Sequence, residues 1–247
     1  MIRGNYKTIP EWLTAGLAFI YYGIISIYKF MEAPLWGDEV VEYYCSILRE
    51  GPIWGITEAV TMYERMLEFQ LQPPLYNWVM APWVAFSNDE FWLRFSSWLF
   101  CFAAVLGIYA VMRRLTDGLW AAASVVVFSS IYTFQYFVRE VAEYALLFPI
   151  LIWLIYFFVR LLENMTLPHI IAFSLLCVAA MYTQYGAVFL VLTLAIQVLL
   201  NAFSRKDWNG LKRMLGAYAV AGVSTGIPLV YFFLLPQSSH PVSTFHY

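Results

Sequence analysis

Four short stretches of the chain carry residues able to do chemistry. In Trp36-Gly37-Asp38-Glu39, two adjacent carboxylates directly follow an apolar segment. An ionised oxygen in that position can take a proton from an acceptor hydroxyl, or help hold a divalent cation against a phosphate. The same pair also suits a solvated turn at the acidic start of a helix. Gln72-Pro73-Pro74-Leu75-Tyr76 opens a short apolar piece. Its prolines suit a first helical turn, where no backbone N–H need be donated, and plain capping is the alternative. Arg139-Glu140 and Glu143-Tyr144 stand between two apolar stretches, where charged side chains are often only snorkelling pairs. Tyr182-Thr183-Gln184-Tyr185 is a polar break between two more, equally readable as part of an interfacial aromatic belt. No Ser-His-Asp, GxSxG, HExxH or P-loop pattern offers a competing chemistry.

The elements that must position these residues are membrane helices. Of the 247 residues 62% are hydrophobic and only 12% charged, and the mean hydropathy is +0.67, against about 45–50% apolar and about 25% charged in a soluble domain. A water-soluble fold of this length cannot hide so much apolar surface, so lipid is the solvent for most of the chain. Apolar stretches near 12–31, 91–112, 119–137, 144–162, 168–184, 186–203 and 214–235 predict about seven spans. The first runs into Lys29, Glu32 and Pro34 without a small-x-small cleavage pattern, so it reads as a retained span and not a signal peptide. Pro74 to Phe86 reaches only about 20 Å as a helix, short of the ~30 Å hydrocarbon core, and is expected to be half-inserted or interfacial. A net charge of −2, with no basic run, sets nucleic acid aside. Cys45, Cys101 and Cys177 form neither a zinc pattern nor a disulfide framework.

Charge bias orients the chain. With seven spans and a cytoplasmic N-terminus, nine of the 14 basic residues but only four of the 16 acidic ones fall inside, as the positive-inside rule requires. Counting 74–86 as a crossing would move the pairs Arg113-Arg114 and Arg205-Lys206 outside and abolish the bias. This topology places the C-terminus outside and leaves one long outer loop, residues 32–90. Within the loop, GDEVVEYYCSILRE and ITEAVTMYERMLEF repeat apolar residues every three to four positions, so both are predicted to be amphipathic helices on the membrane surface. All four chemical stretches then share the outer face. The expected fold is an all-α polytopic membrane protein, with residues 1–247 forming a single module.

The order GDE after the first span, QPPLYNW, FWLRFSSWLF opening a span that ends in RRLTDG, FVREVAEYALL and YTQYGAVFL resembles the membrane-embedded GT-C glycosyltransferases. The nearest branch contains protein O-mannosyltransferases and the lipid A aminoarabinose transferase, the glycosyltransferase family 39-like group. The resemblance implies inverting transfer of a sugar from a polyprenyl-phosphate donor to an acceptor on the outer face of a plasma membrane, bacterial inner membrane foremost. It assigns catalysis to Asp38, as general base, with Glu39 and Glu140. It assigns substrate or phosphate binding to Gln72, Arg139, Tyr144, Tyr182 and Gln184, and allows a divalent metal ion at Asp38 and Glu140. The chain departs from the family pattern by Ala142 where an Arg is usual and by Gln72 and Gln184 where His is usual. Its length matches only the N-terminal seven-span module of enzymes about twice as long. The partners implied are membrane lipids, the lipid-linked sugar and another membrane subunit supplying the C-terminal half. The alternative is a non-catalytic membrane subunit that scaffolds a larger complex. A transporter would place ionisable residues at mid-membrane depth, whereas here they gather at one boundary.

Overall fold

The computed structural model describes residues 10–28, 35, 37–47, 56–69 and 72–236. Residues 1–9, 29–34, 36, 48–55, 70–71 and 237–247 lie outside that set. Among the described residues the chain is helical throughout, with no strand. The helices are α1 (Glu11–Ile27), α2 (Gly37–Ser46), α3 (Ile56–Phe69), α4 (Leu75–Val84), α5 (Glu90–Leu115), α6 (Gly118–Ser129), α7 (Tyr132–Arg139), α8 (Glu143–Glu163), α9 (Leu167–Thr183), α10 (Val188–Ser204) and α11 (Trp208–Ala221). Beyond α11 the same helix continues through two π-helical segments, Gly222–Gly226 and Val230–Leu234.

Their ends follow local chemistry. The Asp89 carboxylate accepts the Phe91 N–H at the start of α5, and Asp117 accepts the Leu119 and Trp120 N–H groups at the start of α6, the usual cure for orphan first-turn donors. Between α10 and α11 Lys206 adopts a left-handed φ of 55°. The Asp207 N–H reaches back to the Ala202 carbonyl and the Lys206 N–H to Phe203, a Schellman closure with Lys where Gly is usual.

The predicted amphipathic segments fold as α2 and α3, and the short apolar piece as α4, which at about 15 Å does not cross a bilayer. Among the described residues three helices are long and apolar enough to span: Glu90–Leu115, Glu143–Glu163 and Tyr185–Ser204. The third expected span differs from its straight form. It is divided into α6 and α7, bent by 69°. At the break, Ile131 is extended, and the Gln135 amide donates to the Ser129 carbonyl that the break releases (2.7 Å). Two further expected spans, α1 and α9, are 17-residue helices of about 25 Å, short of the hydrocarbon core.

The bundle is organised around α5, which packs along α8 and α6, while α1 lies on α6 and α9 on α8. Gly107 permits the closest approach of α5 to α8: a Cβ there would stand 2.7 Å from the Ile152 Cγ2 atom. Aromatic stacking joins α4 to α5. Trp83 and Trp92 stack at 4.3 Å, and each indole N–H donates to the other's carbonyl. At the basic end of the bundle, Arg113 pairs with Glu11, and Arg114 and Arg160 share Glu163. A cavity of about 490 Å³ lies among α5, α6 and α8, walled by Ile108, Met112, Trp120, Phe128, Ile131 and Ile152. It contains none of the residues expected to do chemistry.

Candidate active site

At the end of the bundle opposite Arg113 and Arg114, α2 lies against the α7–α8 connection, and carboxylates from both meet. Residues 140–142 run extended there: Glu140 has ψ 135°, and Ala142 has φ −146° and ψ 157°. Such backbone needs a partner for each amide. The Val141 N–H finds one in Glu39 Oε1 (2.8 Å), across 102 positions of sequence. The second Glu39 oxygen lies 3.6 Å from the Arg94 guanidinium, which also holds Glu90 one turn away at 3.0 Å. Glu39 is only 1% exposed. A buried carboxylate is tolerated when a cation and a donor satisfy it, and here α5 and the α7–α8 connection supply one each.

Asp38, the preceding residue, is exposed. Its charge acts on Tyr136, Glu143 and Tyr144, which places it over the same connection. Glu140 is buried, accepts the Tyr136 hydroxyl at 3.3 Å through Oε1, and takes the Ser97 hydroxyl on its backbone carbonyl at 2.6 Å. The Tyr144 side chain hydrogen-bonds Gln184, and Gln184 sits in extended backbone between α9 and the turn Tyr185–Ala187 that leads into α10. Asp38, Glu39, Glu140, Tyr144 and Gln184, contributed by three separate parts of the chain, therefore converge. Arg139 adjoins them, its Nε donating to the Gln135 carbonyl at 2.9 Å.

Two expected residues stand apart or at the edge. Tyr182 packs its ring against Trp78 at 5.9 Å and donates its hydroxyl to the Thr225 carbonyl in the first π segment, so it braces α9 against α4 and the last helix. Gln72 is half-buried at the Pro73-Pro74 turn that starts α4.

Beneath the convergence lies a polar layer in which Glu42, Asn77 and Ser46, residues the sequence did not single out, join Glu143 and Tyr76. Glu42, one turn beyond Glu39 on α2, accepts the Asn77 amide at 3.0 Å, and Asn77 also donates to the Ser46 hydroxyl. Glu143, 4% exposed, hydrogen-bonds Glu42. The Tyr76 phenol is fully buried close to Glu42, Glu143 and Glu39, and burial first, then those charges, hold its pKa far above the ordinary tyrosine value. The signals were present in the sequence as spacings: Glu39 and Glu42 are three apart, as are Glu140 and Glu143, and Glu90 and Arg94 are four apart. Such spacings put both members on one helix face, or on one turn.

The metal expectation meets this geometry. No group of three or more His, Cys, Asp or Glu side chains in a metal-holding arrangement exists among the described residues. Asp38 and Glu140 therefore belong to no group of three such ligands among the described residues.

Residues 71–232 match the family model described as dolichyl-phosphate-mannose-protein mannosyltransferase. The chain belongs to that family. The match covers about two thirds of the sequence and makes it a membrane glycosyltransferase family member of the GT-C type. It includes Gln72, Arg139, Glu140, Tyr144, Tyr182 and Gln184, whereas Asp38 and Glu39 precede it. The hydrogen bond from the Val141 N–H to Glu39, with the Asn77 contacts to Glu42 and Ser46 and the Arg94 contact to Glu39, joins that preceding helix to the matched region. No curated protein and no solved structure matches the chain.

Proposed function

We propose that the protein transfers a sugar from a polyprenyl-phosphate donor to an acceptor hydroxyl at the outer face of a plasma membrane, with inversion, and that Asp38 is the general base. The observation that carries the reading is the division of labour between adjacent carboxylates: Glu39 is buried and bonded to Val141 and Arg94, while Asp38 is exposed and its charge acts on Tyr136, which Glu140 also holds. Glu39 is then a positioning residue that fixes α2 on the α7–α8 connection. Asp38 is the group free to meet an incoming hydroxyl.

The chemistry needs two further things. The acceptor proton must leave as the oxygen attacks the anomeric carbon, and the departing lipid phosphate needs donors where its charge develops. The Arg139 guanidinium, held through its Nε, supplies donors to the phosphate through its terminal nitrogens. It stands in for the Arg replaced by Ala142. Gln184 orients substrate through Tyr144. Gln72 contributes a neutral amide at the α4 turn. In this reading the charge bias places the N-terminus inside and the acidic end outside.

A second reading, a non-catalytic subunit of a larger assembly, draws on Ala142, whose methyl group offers nothing to a phosphate. Donor turnover separates the two. In lipid-reconstituted protein, alone and with any co-purifying membrane partner, Asp38→Asn is expected to lower transfer by about 10²–10⁴-fold, the usual worth of positioned proton transfer, without loss of folding. Unchanged transfer in Asp38→Asn removes Asp38 as base. Absence of transfer by the unmodified protein under both conditions selects the second reading.

A further inference from the structure

Tyr136 enters the site above only as the hydroxyl donor to Glu140, and its surroundings are unusual for an interfacial tyrosine. It lies on α7 one turn after Tyr132, which is 81% exposed and has the character of an ordinary belt residue. Tyr136 is 41% exposed, yet its hydroxyl points inward and donates to Glu140 Oε1. The charges of Glu140, Glu39 and Asp38 all act on it. A belt tyrosine sends its hydroxyl toward headgroups; this one sends it to the carboxylate cluster and leaves part of the residue uncovered. Phe137 stands edge-on to it at 5.3 Å and continues to Tyr144, itself 37% exposed, at 4.9 Å. The three rings form a wall, with Glu140 below one end and Gln184 bonded at the other.

A half-covered aromatic wall with carboxylate and amide groups at its base, in which the Tyr136 ring stands edge-on to Phe137, matches one chemistry: a pyranose, whose C–H face is apolar and packs on a single ring, and whose edge carries hydroxyl groups. We propose that Tyr136 is the stacking residue for the transferred sugar ring, with Glu140 accepting hydrogen bonds from its hydroxyls. This rests on the glycosyl-transfer reading and deepens it: it makes the wall beside Asp38 the sugar subsite, distinct from the phosphate contact at Arg139. When a sugar enters, Glu140 exchanges the long 3.3 Å bond from Tyr136 for bonds from sugar hydroxyls, and the ring stays to cover the C–H face.

The test is a binding measurement in lipid nanodiscs on the Asp38→Asn background, which removes turnover. Dolichyl-phosphate-mannose and sugar-free dolichyl phosphate serve as the two probes. The parent is expected to hold the sugar-bearing lipid more tightly. Tyr136→Ala and Tyr136→Leu are each expected to lose about 3–10-fold of that affinity, the range of an aromatic contact, with sugar-free lipid unaffected. Tyr136→Phe keeps the ring and is expected to lose less than threefold. Equal affinity of Tyr136→Ala and parent for the sugar-bearing lipid overturns the proposal, as does an equal loss for both lipids, which marks a packing defect. A parent that binds both lipids equally also overturns it while leaving donor binding intact. A parent that binds neither lipid overturns the transfer reading and this proposal with it.

Discussion

Replacing Glu39 by Gln is the sharpest probe of how α2 is held. The amide keeps the shape and an oxygen for the Val141 N–H, at 2.8 Å in the native protein, but removes the charge that faces Arg94. A charge-assisted hydrogen bond is worth about 1.5–3 kcal/mol and a neutral one about 1, so the Val141 contact weakens by roughly 1 kcal/mol. Breaking a buried ion pair costs about 3–5 kcal/mol when it strands a charge. Arg94 is not stranded, because Glu90 remains at 3.0 Å, so about 1–2 kcal/mol is the share to expect. The predicted destabilisation is about 2–3 kcal/mol for Glu39→Gln, and about 4 for Glu39→Ala, which also leaves the Val141 N–H without its acceptor. Reversible unfolding in mixed micelles measures both. A double-mutant cycle with Arg94→Met isolates the pair, and a coupling of at least about 1 kcal/mol is expected between residues in one network. Additivity within about 0.5 kcal/mol, or a Glu39→Gln protein as stable as the native one, would refute the argument that Glu39 ties α2 to α5 and to the α7–α8 connection.

Other consequences follow from single contacts. Gln135→Ala leaves the Ser129 carbonyl at the α6–α7 break without its donor and is expected to cost about 1–3 kcal/mol in the same unfolding assay, while Ser130→Ala, nearer the surface, costs less. Gly107→Ala forces a methyl to within 2.7 Å of Ile152, a β-branched side chain with little room to turn. About 1–3 kcal/mol of overpacking is expected, relieved by Ile152→Ala in the same chain. Lys206→Gly removes a left-handed strain worth about 1 kcal/mol and is expected to raise the unfolding midpoint. Burial first, and then the Glu42 charge, push the Cys45 thiol up to about 12. Because the thiolate is the reactive form, alkylation of Cys45 is expected to stay slow at pH 8 and to accelerate as pH approaches that value, or on unfolding.

Much of this was legible because each signal was local. The helices α2, α3 and α4 sit where apolar spacing put them, since an amphipathic repeat and a proline pair are written in adjacent residues. The bend at Ser130 was not, because Ser129-Ser130-Ile131 is an unremarkable apolar-polar mixture. What allows the break is Gln135, whose amide satisfies the released carbonyl from six positions away. The convergence of Asp38, Glu140 and Gln184 was anticipated from a shared membrane face, but the division between Asp38 and Glu39 was not. Adjacent carboxylates look alike until helix geometry turns one inward to Val141 and Arg94. Tyr182, which the family resemblance assigns to substrate, also makes a contact that its neighbours in sequence do not announce: its hydroxyl donates to a π-segment carbonyl. The Glu90–Arg94 spacing is legible in the sequence, but the second partner of Arg94 is not, because Glu39 comes from a different helix.

The central claim is that reaction takes place between Asp38 and Arg139 at the acidic end of the bundle. The most direct measurement is a structure of the Asp38→Asn protein in nanodiscs with dolichyl-phosphate-mannose. The account predicts the phosphate within hydrogen-bond distance of the Arg139 guanidinium and the sugar between it and residue 38, against Tyr136. A phosphate seated instead at the opposite end, among Arg113, Arg114 and Arg160, would contradict it.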